Sequence, residues 1–291
     1  MYPHQLQSHR THKSHTSAAP RAPSRPNQPS IPFSLGMLKD LMKRKSSPYL
    51  DKTTWEALRI RCQVLDINGP AANGGQYLQL VPAEHMNTLA KEHRFHEETD
   101  LGPYDEEWGG SKFAIAFHVN ACLGHCSDNV YNNKRLSERL GWRGRIPDEY
   151  ERPKLWYYPK YPRHNETWQL EYILEPMSGL LPHISCTLVE SHPHVEDSLL
   201  LSEVWCILML TVLAFRLPRD EKYNIVPITM VSLCARQYRI VQGFVDGNGS
   251  VINIWKSCIV QFNKEGQIQE QVTDILRWVL GKPIGDTTKA H

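Results

Sequence analysis

IVPITMVSLCARQYRIVQGFVDGNGSVINIWKSCIVQF, residues 225–262, reads as three β-strands in a row. The strands fall at 225–233, 238–246 and 250–262, and Asp246-Gly247-Asn248-Gly249 between the last two is a strong hairpin signal, because Asp, Asn and Gly tolerate the positive φ that tight hairpins need. In the middle strand Ile240 and Phe244 share one face and Val241 and Val245 the other, so both faces must be covered.

The cover lies on either side in sequence. Upstream, residues 199–215 read LLLSEVWCILMLTVLAF, preceded by Asp197 as a cap and followed by Arg216, Leu217 and Pro218, which predicts a helix over 197–217. A membrane span needs about 20 apolar residues; this run is shorter and carries Glu203, so a buried helix is expected. Downstream, Ile268, Val272, Ile275, Leu276 and Val279 mark one face of a last helix, ended by Gly281 and Pro283. Helix, three-strand antiparallel meander, helix gives an α+β fold class.

The N-terminal part adds helices. Thr53 and Glu56 have capping-box spacing, and Trp55, Leu58, Cys62 and Leu65 predict one helix over 53–65, stopped by Asn68-Gly69-Pro70. A second is expected from Pro82, with Met86, Leu89, Ala90 and His93 on one side. Residues 112–120 (KFAIAFHVN) read as a strand, Asp128 as the cap of a helix bearing Leu136 and Leu140 and closed by Gly141, and 168–174 as a strand. Residues 1–32 are rich in Pro, Ser, His, Gln and Arg, and a disordered basic tail is expected over 1–50. A single α+β domain is expected over 51–285, with the Pro-rich arm at 142–165 as the one place for a sub-boundary.

Charge is uneven. The first 50 residues hold eight Lys or Arg against one acid, Asp40, hence +7; with +2 for the whole chain the remainder carries −5. An acidic body argues against a fold built to grip phosphates. The seven cysteines are odd in number and sit mostly in apolar runs, and the first 30 residues have no apolar h-region. An intracellular protein, cytoplasmic or nuclear and not secreted, is expected.

Residues 165–265 resemble a family of uncharacterised proteins of filamentous fungi, on Glu203, Arg216, the Pro227–Ser232 strand, Arg239, the Phe244-Val245-Asp246-Gly247 turn, Ser257 and Phe262. The resemblance implies a fungal origin and carries no activity, cofactor or catalytic residue with it.

No G-x-G-x-x-G, P-loop, H-E-x-x-H, C-x-x-C or G-x-S-x-G occurs, which removes the common nucleotide, zinc-protease and hydrolase readings. The densest set of metal-ligand residues is His118, Cys122, His125 and Cys126, whose thiolates and imidazoles would suit zinc. All four fall within nine residues, however, and tetrahedral sites usually draw on separate segments. No cofactor is expected. Residues 139–164 interleave cations and aromatics, among them Arg143, Arg145, Trp156, Tyr157, Tyr158 and Lys160. Single-stranded nucleic acid binding needs such a composition, but it also describes a Pro-rich arm packed on a domain or a protein interface, which are the preferred readings.

The sharpest enzymatic reading follows from element order. Helix, three strands and helix is the order of restriction-endonuclease-like nucleases, with Glu203 as the helix acid, Asp246 as the strand acid and Lys256 as the lysine. The second strand acid would stand at position 254, which is Ile254, and two carboxylates must meet to hold the metal that activates water. The expectation is therefore a non-catalytic binding or scaffolding domain with an unknown protein partner. Nucleic acid is a secondary partner through the tail and the arm, no membrane is involved, and a degenerate or metal-dependent nuclease is the alternative.

Overall fold

The computed structural model describes residues 36, 47–67, 77–95, 111–145, 168–216, 223–246, 250–262 and 268–288. The fold is α+β, built on one eight-stranded sheet. Its strands are β2 (Ile60–Val64), β6 (Trp142–Gly144), β7 (Trp168–Pro176), β8 (Ile184–Glu190), β10 (Ile228–Cys234), β11 (Gln237–Val245), β12 (Ile252–Lys256) and β13 (Val260–Gln261). The spatial order is β2-β12-β11-β10-β8-β7-β6, with β13 also beside β11. The meander β10-β11-β12 is antiparallel as expected. It is extended on one side by β8, parallel to β10, and on the other by β2, parallel to β12.

Helices cover both faces. Among the described residues these are α1 (Lys52–Ala57), α2 (Ala83–Glu92), α3 (Lys112–Asp128), α4 (Leu136–Arg139), α5 (Leu201–Arg216) and α6 (Ile268–Val279). α5 lies across β8, β10 and β11 on one face, and α3 and α6 pack against the other. Each face has its own core. Met230, Val241 and Ile254 join the α5 side; Val231, Leu233 and Ile240 join α3 and α6. Contact with α5 is close at Gly243, where a Cβ would lie 2.6 Å from Ile207 Cδ1, so the absent side chain is what lets the helix down onto the sheet. Leu208 is fully buried in α5. Leu208→Ala should cost about 2–5 kcal/mol of unfolding free energy in urea titration, the usual penalty for a core cavity.

Two two-stranded ribbons tie distant segments together, β1 (Tyr49–Leu50) with β9 (Leu199–Leu200) and β3 (Leu78–Gln79) with β14 (Lys282–Pro283), while β4 (Val130–Tyr131) and β5 (Lys134–Arg135) form a local hairpin. Tyr49 and Leu50 thus belong to the fold rather than to the expected tail. The tail up to residue 46, apart from Gly36, lies outside the described residues, as does the arm from 146 to 167.

Several elements differ from the sequence reading. The helix expected over 53–65 is α1 alone, capped by Asp51, whose Oδ1 accepts from Thr54 N at 2.9 Å; the chain then turns at Arg59 (φ 56°) into β2. The strand expected over 112–120 is the start of α3. Phe113, Ile115, Phe117 and Val119 alternate like a strand, yet the buried residues, among them Ala116, Val119, Leu123 and Cys126, recur at helical spacing. Asp128 ends α3 instead of capping the next helix; at α4 Arg135 N donates to Glu138 Oε2 at 3.0 Å. The long helix starts at Leu201 and not Asp197, because Leu199 and Leu200 are held extended by β1.

Candidate functional site

Arg239 is the side chain about which the site is organised. β11 is apolar around it, and its fully buried guanidinium faces the first turn of α5. Nε donates to Glu203 Oε1 at 2.8 Å, and Nη2 pairs with Glu203 Oε2. Nη1 donates to the carbonyls of Ser198 (3.0 Å) and Val195 (3.3 Å). Glu203 is fully buried too, and its Oε2 also accepts from Leu200 N at 2.8 Å. Burial pushes its carboxyl pKa up, but the charge and hydrogen bonds of Arg239 outweigh this and hold it below the ordinary value.

The segment 191–198, sequence SHPHVEDS, supplies both carbonyls that Arg239 Nη1 meets, and other elements fasten it in place. Lys256 Nζ donates to the Glu196 carbonyl, Glu196 Oε1 accepts from Ile259 N at 2.9 Å, and Tyr49 Oη donates to the Pro193 carbonyl at 2.9 Å. His194 Nε2 lies 3.0 Å from Ser232 Oγ, while its buried Nδ1 finds no partner among the described residues. Burial first, and the Arg239 charge second, push its pKa down to about 3. Glu190, also fully buried, binds His192 Nδ1 through Oε1 at 3.1 Å and accepts from Ser202 Oγ through Oε2 at 2.6 Å. Cys62 stands at the rim; burial pushes its thiol up to about 11 against the pull of Lys256 and Arg239, so it is no thiolate nucleophile at neutral pH.

The nuclease-like triad is divided by this geometry. Glu203 and Lys256 lie at the same end of the sheet, both near Cys62. Asp246 lies at the other end of β11: Val241 is the partner of Lys256, and Asp246 is five residues further, about 17 Å along the strand. Its carboxylate closes its own turn, accepting from Ser250 N (2.6 Å) and Val251 N (3.1 Å) through Oδ1 and from Ser250 Oγ (2.8 Å) through Oδ2. Ile254 is completely buried beneath α5.

The other candidates are equally traceable. His118 Nε2 stands 3.6 Å from Cys122 Sγ along α3, Cys122 and Cys126 are buried, and His125 faces solvent. Among the described residues no group of three or more His, Cys, Asp or Glu could hold a metal ion. Arg145 is nearly buried against Glu175 (Nε to Oε1 3.2 Å), and the more exposed Arg143 lies 3.9 Å from the same carboxylate. Trp156, Tyr157, Tyr158 and Lys160 lie outside the described residues. No described helix is long and apolar enough to cross a membrane.

Sequence reasoning had not named Glu190, His194, Ser232 or Arg239 as site residues. The available signals were a cation embedded in a mostly apolar strand and two histidines within SHPHVEDS. Comparison of the chain with protein-family models, with curated proteins and with solved structures finds no match.

Proposed function

We propose that the chain is a non-catalytic binding or scaffolding domain that works inside the cell with a protein partner, as part of the filamentous-fungal group its residues 165–265 resemble. The observation that supports this reading most is that the ionisable groups of the Arg239 site are turned on one another. Glu203 is saturated by Arg239 and a backbone N–H, and Lys256 is committed to the segment above it. A metal-dependent nuclease site needs carboxylates open to a metal and a water. Any affinity for nucleic acid is then assigned to the basic tail and the 139–164 arm, and should weaken steeply with salt and show little sequence preference.

A degenerate restriction-endonuclease-like domain is the second reading. It is favoured by Glu203 in the first turn of α5 with Lys256 at the same end of the meander. On this reading Arg239 neutralises the helix acid, and Ile254 stands where the second carboxylate would be required. One experiment separates the two. Purified full-length protein is incubated with single- and double-stranded DNA and with RNA, in Mg²⁺ and in Mn²⁺, and its zinc is counted. The binding reading expects no cleavage and well under one equivalent of zinc. Cleavage abolished by Lys256→Ala would overturn it, and a full equivalent of zinc lost on Cys122→Ser would place a metal on α3.

A further inference from the structure

The eight-stranded sheet ends at β2, Ile-Arg-Cys-Gln-Val, and among the described residues nothing pairs with its outer side. Exposed edges are usually blunted by proline, by a bulge, by several charges or by a covering element. β2 has no proline and no bulge, carries one charge, Arg61, and ends at Val64, which is 79 % exposed.

Hydrogen-bond parity fixes what this edge can accept. Ile252 N donates to the Arg59 carbonyl and Leu65 N to the Lys256 carbonyl. In a parallel ladder the residues that face the partner alternate, so 59, 61, 63 and 65 direct their backbone groups at β12. Ile60, Cys62 and Val64 therefore direct their N–H and C=O groups outward. An antiparallel strand forms closely bonded pairs only where outward residues meet outward residues. For a second copy of β2 related by a two-fold axis, one register uses all three. Centred on Cys62, it sets Ile60 opposite Val64 of the second copy and Arg61 opposite Gln63 of the second copy, with about six backbone hydrogen bonds. The shift centred on Arg61 would use fewer and would place like charges face to face.

We infer that β2 is a self-association edge, at which two copies of this chain join antiparallel through Ile60, Cys62 and Val64 into one continuous sheet. The match of apolar to apolar and of cation to amide in the register that satisfies every outward group is what commits the edge to a second copy. The interface is a single short strand, smaller than that of a permanent dimer, so association belongs in the range of about 10–100 µM. The inference is independent of the non-catalytic reading, since a nuclease could dimerise in the same way.

Sedimentation velocity of the full chain should show its weight-average mass rising from one chain toward two across that range. Cys62→Pro removes an outward N–H together with a half-buried thiol packed on the α5-side core, and proline fits an edge strand, so it should abolish the rise at a modest cost in the urea midpoint. Val64→Lys should weaken association at least tenfold, and it carries the test should the proline variant fail to fold. A wild-type chain that stays monomeric throughout overturns the inference, whether or not some other strand docks there. Association that persists in folded Val64→Lys also overturns it, because the contact must then lie elsewhere.

Discussion

Glu203→Ala should destabilise the protein by about 3–5 kcal/mol, the largest effect expected from any single substitution outside the apolar core. The cost is not the worth of the ion pair. Arg239 would remain fully buried, with two carbonyl acceptors but no counter-charge. Taking both charges away together, as Glu203→Leu with Arg239→Met, should therefore recover most of the loss, since apolar replacement of a buried pair is often neutral. A double-mutant cycle in urea measures this. A double variant as unstable as the single one would show that the guanidinium is needed to hold the Val195 and Ser198 carbonyls in place, beyond neutralising Glu203.

Acid should begin to destabilise the protein well above the range where its carboxylates protonate. His194 is held at about 3 and His183 at about 4, both chiefly by burial; in the unfolded chain both titrate near the ordinary 6.5. Between those limits the unfolded state binds more protons, so stability is fully present above pH 6.5 and falls as pH falls toward the folded values. At pH 4 the loss is roughly 3 kcal/mol for each histidine, together comparable with the whole stability of many domains. Glu203, depressed in the fold, adds to the loss only below its unfolded value of about 4.5. His183→Gln combined with His194→Gln should flatten the stability curve between pH 4 and 6.5, followed by urea midpoints at each pH. An unchanged slope would mean that other groups dominate.

What could be read from the sequence was local. The turn at Asp246, the meander on either side of it and the apolar faces of α5 and α6 follow from spacing and turn chemistry within one stretch of chain. What could not be read was set by distant partners. Residues 60–64 continue a helical apolar pattern from Trp55 and Leu58, but become a strand because β12 offers them a ladder. α3 looked extended because the residues of its first turns alternate; its helical burial is decided by the sheet beneath and by α6. The site was legible in part. Glu203 and Lys256 were singled out as chemistry-bearing residues, but the partner of Glu203 lies 36 residues away, and nothing local to either residue marks that pairing. Asp246 was weighed as a metal ligand because spacing cannot tell a carboxylate free for chemistry from one spent on its own turn.

The pairing of β2 with β12 also sets an order of events during synthesis. Contacts across it, such as Trp255 Nε1 to Gln63 Oε1, join residues 192 positions apart. At about 5–20 residues per second, β2 leaves the ribosome roughly 10–40 s before the strand it lies against. Until then β2 lacks the strand it is to lie against, and nascent chains on one messenger present the same strand to each other. The domain can complete its sheet only when nearly all of it has been made, so its yield in cells should depend on chaperones that hold the N-terminal half and on slow, dilute expression.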